Sequence, residues 1–371
     1  MPCPLTVPKP RQAALSFAPY VPGLSIDEIK EHYGLTSVIK LASNENPLGT
    51  SPLVQKTIVE NASLAFRYPQ SGVPKLQAAI ARKHNLPEGM VAVGNGSDEI
   101  IDLLIRVLAE PGKNNVIAFD PCFSIYKLQA KISDIEFRQT PLNPDFTFPW
   151  NAFLATANAN TAVAFITTPD NPSGYAPALT DLLYVASKLP ATCLLVVDEA
   201  YMDFCDCEEA HSLLAHLQKI PNLAILRTFS KSYGLAGLRV GYGLMPETIA
   251  EVLRRVHLPF SVNLLAEKAA LAALEDTVFY EETLRTVKIE RPWLSSELTK
   301  LDCKVLPSQA NFIMFKPPCP AGALFEKLLQ KGIIVRPLKS YGLDDYLRLS
   351  IGTHHENQTL LAACKEILSN E

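Results

Sequence analysis

Four short stretches carry residue types that chemistry uses, and each follows an apolar run. They are GNGSDE at 94–99, TPDNPSG at 168–174, DEAY at 198–201 and TFSKSYGLAGLR at 228–239. In the first, glycines let backbone approach an anion closely. A helix starting there offers free N–H groups and the positive end of its dipole. A capped helix with Ser97 or Asp98 as cap would use the same residues. A dinucleotide site is disfavoured, because Glu99 fills the slot of the third glycine. In the second stretch a rigid turn presents Asn171, although Asn, Pro and Gly build such turns without any function. In the third, the apolar run 194–197 delivers Asp198 to a strand end. A buried carboxylate there needs a cationic partner, whether a ligand or a structural ion pair. The fourth gathers Thr228, Ser230, Lys231 and Arg239. Hydroxyls and a guanidinium suit a phosphate, and the lysine is an amine nucleophile. A lone lysine is ordinarily a solvated surface charge, but the flanks of Lys231 are small, aromatic and apolar.

One cofactor asks for an anion seat, an amide, a carboxylate and a lysine together. Pyridoxal phosphate has a phosphate, a phenolic oxygen, a pyridine nitrogen and an aldehyde that an amine can bind.

These groups must be brought together by the elements that precede them. Short apolar runs at 90–93, 115–119, 162–167, 194–197, 224–226 and 239–243 read as strands. Stretches at 26–33, 74–84, 98–108 and 179–188 read as helices. Alternation of the two, with nearly continuous apolar strands, predicts a mostly parallel α/β sheet covered on both faces. In such sheets ligands bind where strands end. After about residue 251 the pattern changes to a long helical stretch, 263–300. It is followed by a strand at 311–315, a helix at 321–331, strands at 333–336 and 346–351, and a last helix. This predicts three parts: an N-terminal arm over 1–40, a large domain over 41–255 and a small α+β domain over 256–371.

The 371 residues are 48% hydrophobic, enough for more than one core. The net charge is −4, with no basic stripe, which argues against nucleic acid. No apolar run is long enough to span a bilayer, and the N-terminus lacks the apolar stretch of a secretory signal. The eight cysteines are scattered without a framework, as expected of reduced thiols in the cytoplasm. Cys205 and Cys207 lie in the acidic stretch DFCDCEE, but no second cluster completes a ligand set, so no metal is expected.

The chain resembles fold-type I pyridoxal-phosphate enzymes, and among them the histidinol-phosphate aminotransferase family. The markers are LASNENPLG (41–49), RYP (67–69), GNGSDE, TPDNPSG, DEAY, TFSKSYGLAGLRVGY (228–242), ANFI (310–313), IIVRP (333–337) and LRLSIGT (347–353). The resemblance implies a mostly parallel seven-stranded sheet flanked by helices, with a smaller α+β domain. It implies that Lys231 carries the cofactor and that Asp198 meets its ring nitrogen. Asn171 and Tyr201 would meet the phenolic oxygen, and Phe123, where relatives often have tyrosine, would stack on the ring. The phosphate would rest on the amides of Ser97 and Asp98 and on Thr228, Ser230 and Arg239. Tyr68 would reach the phosphate of a neighbouring subunit, in a homodimer. For the substrate, Arg348 would take an α-carboxylate and Arg336 a phosphate, with Tyr20 and Asn46 nearby.

The implied reaction is ping-pong. Histidinol phosphate gives imidazole acetol phosphate, and 2-oxoglutarate then becomes glutamate, by way of pyridoxamine phosphate. Aromatic amino-acid aminotransferases and threonine-phosphate decarboxylases use the same cofactor residues. Alanine before the glycine in LAGLR favours the aminotransferase over the decarboxylase. A retired binding module, the alternative in another class, sits poorly with intact Lys231, Asp198 and Arg348.

Overall fold

The computed structural model describes residues 8–15 and 26–369. In chain order the strands are β1 (Ile39–Lys40), β2 (Val91–Gly94), β3 (Asn115–Asp120), β4 (Glu136–Pro141), β5 (Thr161–Thr167), β6 (Leu194–Asp198), β7 (Leu223–Thr228), β8 (Gly241–Leu244), β9 (Lys304–Val305), β10 (Phe312–Lys316), β11 (Ile333–Ile334), β12 (Arg336–Leu338) and β13 (Leu343–Ser350).

The central sheet has seven strands in the order β2-β8-β7-β6-β5-β3-β4. From β7 across to β4 the neighbours run parallel, while β8 runs antiparallel to both β2 and β7. Strands β5, β6 and β7 are buried along their whole length. Successive side chains leave a strand on opposite faces, so a strand buried on both faces must be apolar throughout. Thus Ala164, Ile166, Leu195, Val197 and Ile225 join one apolar cluster, and Val163, Phe165, Leu194, Val196, Ala224 and Leu226 join another on the far side. Continuing that alternation puts Thr167, Asp198 and Thr228 on one face, and Glu199 and Arg227 on the other.

A second, antiparallel sheet has the order β12-β13-β10-β9. Its register sets Arg336 directly opposite Arg348. Its apolar face packs with Val287, Leu294, Leu298, Leu324, Leu328 and Leu360 from the helices around it. Strand β1 pairs in parallel with β11, which ties the segment before residue 41 to this part of the chain.

Three expectations are corrected. The stretch 263–300 is two helices, Leu264–Glu275 and Thr277–Thr299. They part at Asp276, whose side chain accepts from the amide of Phe279 at 3.1 Å and so starts the second helix. The first sends Ala266, Ala269 and Ala270 into the central-sheet core, the second sends Val287 and Leu294 into the other core. The expected strand at 333–336 is split, because Ile333–Ile334 joins β1 while Arg336 begins β12. Strand β4 was not expected. It lies at the sheet edge, and only Thr140 along it is buried.

Candidate active site

A cavity of about 160 Å³ opens at the carboxyl ends of β5, β6 and β7, bounded by the start of the helix Gly96–Leu108. Its walls include Ser97, Asp98, Phe123, Asn171, Asp198, Tyr201, Thr228, Ser230, Lys231 and Arg239. Residues from Ser97 to Arg239, remote from one another in sequence, converge there because their strands are neighbours in the sheet.

The anion seat lies where the helix begins. The N-cap is Asn95, whose side chain makes no cap bond, so neither Ser97 nor Asp98 is the cap. The Gly96 amide donates to the Arg239 carbonyl at 3.1 Å, which leaves the amides of Ser97 and Asp98 to a ligand. Gly96 has φ 73°, and a Cβ there would lie 2.5 Å from Arg239 Nη2. Glycine thus makes room for the guanidinium, which donates to Asp98 at 3.0 Å and to Ser230 Oγ at 3.4 Å. Gly241, on β8, is as constrained, since a Cβ there would lie 2.4 Å from the Ser97 amide nitrogen.

Deeper in, Asp198 is 3% exposed. Its Oδ1 accepts from the Ala200 amide at 3.2 Å, and its Oδ2 from Tyr126 Oη at 2.7 Å. Burial raises its pKa to about 6, against the pull of those two donors. Lys231 Nζ donates to the Ser43 carbonyl at 3.2 Å. Burial, and after it the charge of Arg348, lowers this amine to about 8. The hydroxyl of Tyr201 accepts from Asn44 at 3.2 Å and from Asn171 at 3.5 Å, so its own hydrogen remains for a ligand oxygen. Burial pushes this phenol up to about 12.

Arg348 is buried, and its Nη1 donates to Asn171 Oδ1 at 2.5 Å and its Nη2 to the Ala42 carbonyl at 3.2 Å. Its Nε is buried with no partner. Arg336 is half-buried, and no carboxylate among the described residues pairs with either arginine.

Two expected residues stand apart from the cavity. Tyr68 is 81% exposed and stacks on Phe260, with ring centroids 4.8 Å apart. Asn46 is committed elsewhere, donating to the Ser232 carbonyl at 2.9 Å and to Thr283 Oγ1 at 3.2 Å while accepting from the Leu48 amide. Both amide hydrogens are used, so Asn46 braces the Lys231 loop and has no donor left for a substrate. Tyr20 lies outside the described residues.

Two features escaped the motifs. Tyr126 follows Phe123 by one helical turn, and a tyrosine on an apolar face needs a partner for its hydroxyl. Arg227 interrupts the apolar strand β7, which is the mark of a buried ion pair. It meets Glu199 at 2.5 Å, Glu208 at 2.7 Å and Asp203 at 3.1 Å beneath the cavity. Asp203 also accepts from Ser232, next to Lys231, so this network anchors the lysine loop from below.

These walls fit pyridoxal phosphate. Uncapped helix amides, a glycine held open beside an arginine, a buried carboxylate and a half-buried amine match its phosphate, ring nitrogen and aldehyde. Comparison with known proteins agrees. The sequence matches the model of aminotransferase class I and II over residues 36–367. The chain belongs to the class I and II aminotransferases. It is 63% identical to a histidinol-phosphate aminotransferase of Nitratidesulfovibrio vulgaris (strain DP4), over 96% of each chain. It is 58% identical to another of Oleidesulfovibrio alaskensis, over 98% of this aminotransferase and 96% of that relative. The crystal structure of histidinol-phosphate aminotransferase from Sinorhizobium meliloti, in complex with pyridoxal-5'-phosphate, shares the fold with a TM-score of 0.87. It is 24% identical and covers 99% of both chains.

Proposed function

We propose that this aminotransferase moves the amino group of histidinol phosphate to 2-oxoglutarate, in two half-reactions at the cavity described above. One observation carries the choice of substrate. Arg336 and Arg348 face each other across two paired strands, and no carboxylate among the described residues balances them. Like charges directly opposite in a sheet are destabilising, so the pair calls for an anion. Histidinol phosphate has no α-carboxylate; its phosphate takes that place, and a dianion suits two guanidiniums. In the second half-reaction Arg348 holds the α-carboxylate of glutamate. A relative named histidinol-phosphate aminotransferase, 63% identical over 96% of each chain, supports the same reading.

Bound in the cavity, pyridoxal phosphate supplies an electron sink for the charge left when the α-proton departs. The chain supplies the rest. The Ser97 and Asp98 amides, Thr228, Ser230 and Arg239 hold the phosphate, and Phe123 covers the ring. Asp198 accepts from the ring nitrogen, and Asn171 and Tyr201 orient the phenolic oxygen. Lys231, an amine lowered to about 8 by burial, releases its proton near neutral pH and can take one from the substrate α-carbon.

The active unit in this reading is a homodimer, in which the exposed Tyr68 contributes to the partner's phosphate site. Among the described residues no helix is long and apolar enough to cross a membrane. The free thiols support a cytoplasmic setting.

Arg336→Ala tests the phosphate role. Charge-assisted hydrogen bonds are worth about 1.5–3 kcal/mol, so kcat/KM for histidinol phosphate falls roughly 10- to 100-fold. Unphosphorylated histidinol loses far less. Equal losses for the two donors contradict the assignment, and release of carbon dioxide from threonine phosphate would favour a decarboxylase instead.

A further inference from the structure

We propose that Tyr126 is a positioning residue for the cofactor, its phenol fixing Asp198 as the oriented acceptor on which the ring nitrogen docks. The inference rests on the role proposed for Asp198 and extends the site by one layer. Tyr126 lies on the helix Ser124–Ile132 and is fully buried. Its ring stacks on Phe165 at 4.3 Å with 7° between the planes, and meets Phe123 edge-on at 5.6 Å. That stack determines where the hydroxyl points. Tyr126 Oη lies 2.7 Å from Asp198 Oδ2 and 2.8 Å from Thr167 Oγ1. A phenol has one hydrogen and an ionised carboxylate only accepts, so the hydrogen goes to Asp198 and Thr167 donates to Tyr126. Donation therefore runs in one direction, from Thr167 through Tyr126 to Asp198. The backbone amide of Ala200 is the only other donor recorded to this carboxylate among the described residues.

The surroundings make the phenol matter. Asp98, on the helix Gly96–Leu108, and Glu199, next in the chain, both oppose ionisation of Asp198. From β5 and β7 come the uncharged hydroxyls of Thr167 and Thr228, while Arg227 is turned to the other face toward Glu199. Lys231 and Arg239 line the same cavity on the ligand side. Cys122, beside Tyr126, is held neutral by burial. Burial and Asp198 hold Tyr126 itself well above the ordinary phenol range, so it stays a donor at every working pH. Burial favours a protonated Asp198, and the phenol is the stronger of the two groups pulling against it.

The test measures affinity of the cofactor-free protein for pyridoxal phosphate against pH, by equilibrium dialysis, in wild type, Tyr126→Phe, Thr167→Val and Asp198→Asn. Wild type loses affinity as the pH falls and Asp198 takes up a proton. Tyr126→Phe keeps the ring stack, and its acid-side loss begins about one pH unit higher. Its affinity drops roughly five- to tenfold between pH 6 and 5 and less than about twofold at pH 8. Thr167→Val moves the curve the same way by less, and Asp198→Asn keeps only the shallower acid-side loss that protonation of Lys231 gives every variant. A Tyr126→Phe curve superimposed on wild type, or offset equally at every pH, overturns the inference. Should that variant not fold, an unshifted Thr167→Val curve overturns it. An Asp198→Asn curve with the same pH dependence as wild type would instead sink the role of Asp198 itself.

Discussion

Asp198 is a residue that the cofactor-free chain holds at a cost. Its pKa rises from 3.8 to about 6, chiefly through burial. A carboxyl raised in the folded state contributes stability that is fully present below its unfolded value and is lost as the pH climbs through the folded value. The window is therefore pH 4 to 6, and the shift of about two units corresponds to about 3 kcal/mol. Asparagine does not titrate, so cofactor-free Asp198→Asn should melt above cofactor-free wild type at pH 8. The gap should close toward pH 4 in thermal scans. A gap of the same size at both pH values would mean that the carboxylate is not strained by burial. At this scale much of the site was legible. Thr228, Ser230, Lys231 and Arg239 are close in sequence, and a single loop can hardly separate them. Asp198 and Asn171 were legible because an apolar strand leaves its last residue at the sheet edge. Asn46 was not, because its partners Ser232 and Thr283 are remote in sequence, and no local pattern tells a bracing amide from a substrate contact. Tyr126 was hidden for the same reason: its partner hangs from another strand.

The elements act as fixed mounts, and one tight joint is between the helix Gly96–Leu108 and Arg239. A Cβ at Gly96 would meet the tip of a flexible arginine, whereas at Gly241 it would meet backbone, the Ser97 amide. Gly96→Ala should therefore fold with Arg239 displaced. It should bind pyridoxal phosphate about tenfold more weakly, with about 1 kcal/mol of strain from the positive φ. Gly241→Ala should lose more stability, because the helix entry itself must move. Gly237→Ala, with nothing within 4 Å of its Cβ, serves as control. Dialysis and chemical denaturation read the two effects separately, and equal behaviour of all three variants would refute the joint. Periodicity located the buried strands, since β5 and β6 are apolar on both faces. It missed β4, an edge strand that buries little, and it ran together two helices that only the capping side chain of Asp276 divides. It also could not reveal that residues 333–336 serve two sheets, because pairing partners are a property of the tertiary fold.

At the scale of the whole molecule, two parts of the chain close on one cavity. Arg348 comes from the second sheet to bond Asn171 in the turn after β5, so the proposed substrate and cofactor contacts meet across that junction. Neither strand alone announces this. The proposed second junction is with another copy of the chain. The stack of Tyr68 on Phe260 brings together two segments whose Phe66, Tyr68, Leu258 and Phe260 are exposed. Apolar residues gathered on a surface in this way mark an interaction face. Phe66→Asp with Leu258→Asp should shift the protein from dimer to monomer in sedimentation and weaken cofactor retention. Tyr68→Phe should leave the dimer intact and lower cofactor affinity a few-fold; a wild-type monomer that retains cofactor would contradict the shared site. The central claim, amino transfer from histidinol phosphate, is tested most directly by one half-reaction. The pyridoxal-phosphate form is mixed with histidinol phosphate alone, and the visible absorbance of the bound cofactor is followed. The account predicts rapid loss of that absorbance with one equivalent of imidazole acetol phosphate per site, and its return on adding 2-oxoglutarate. No reaction with histidinol phosphate, beside a fast one with phenylalanine or tyrosine, would contradict it.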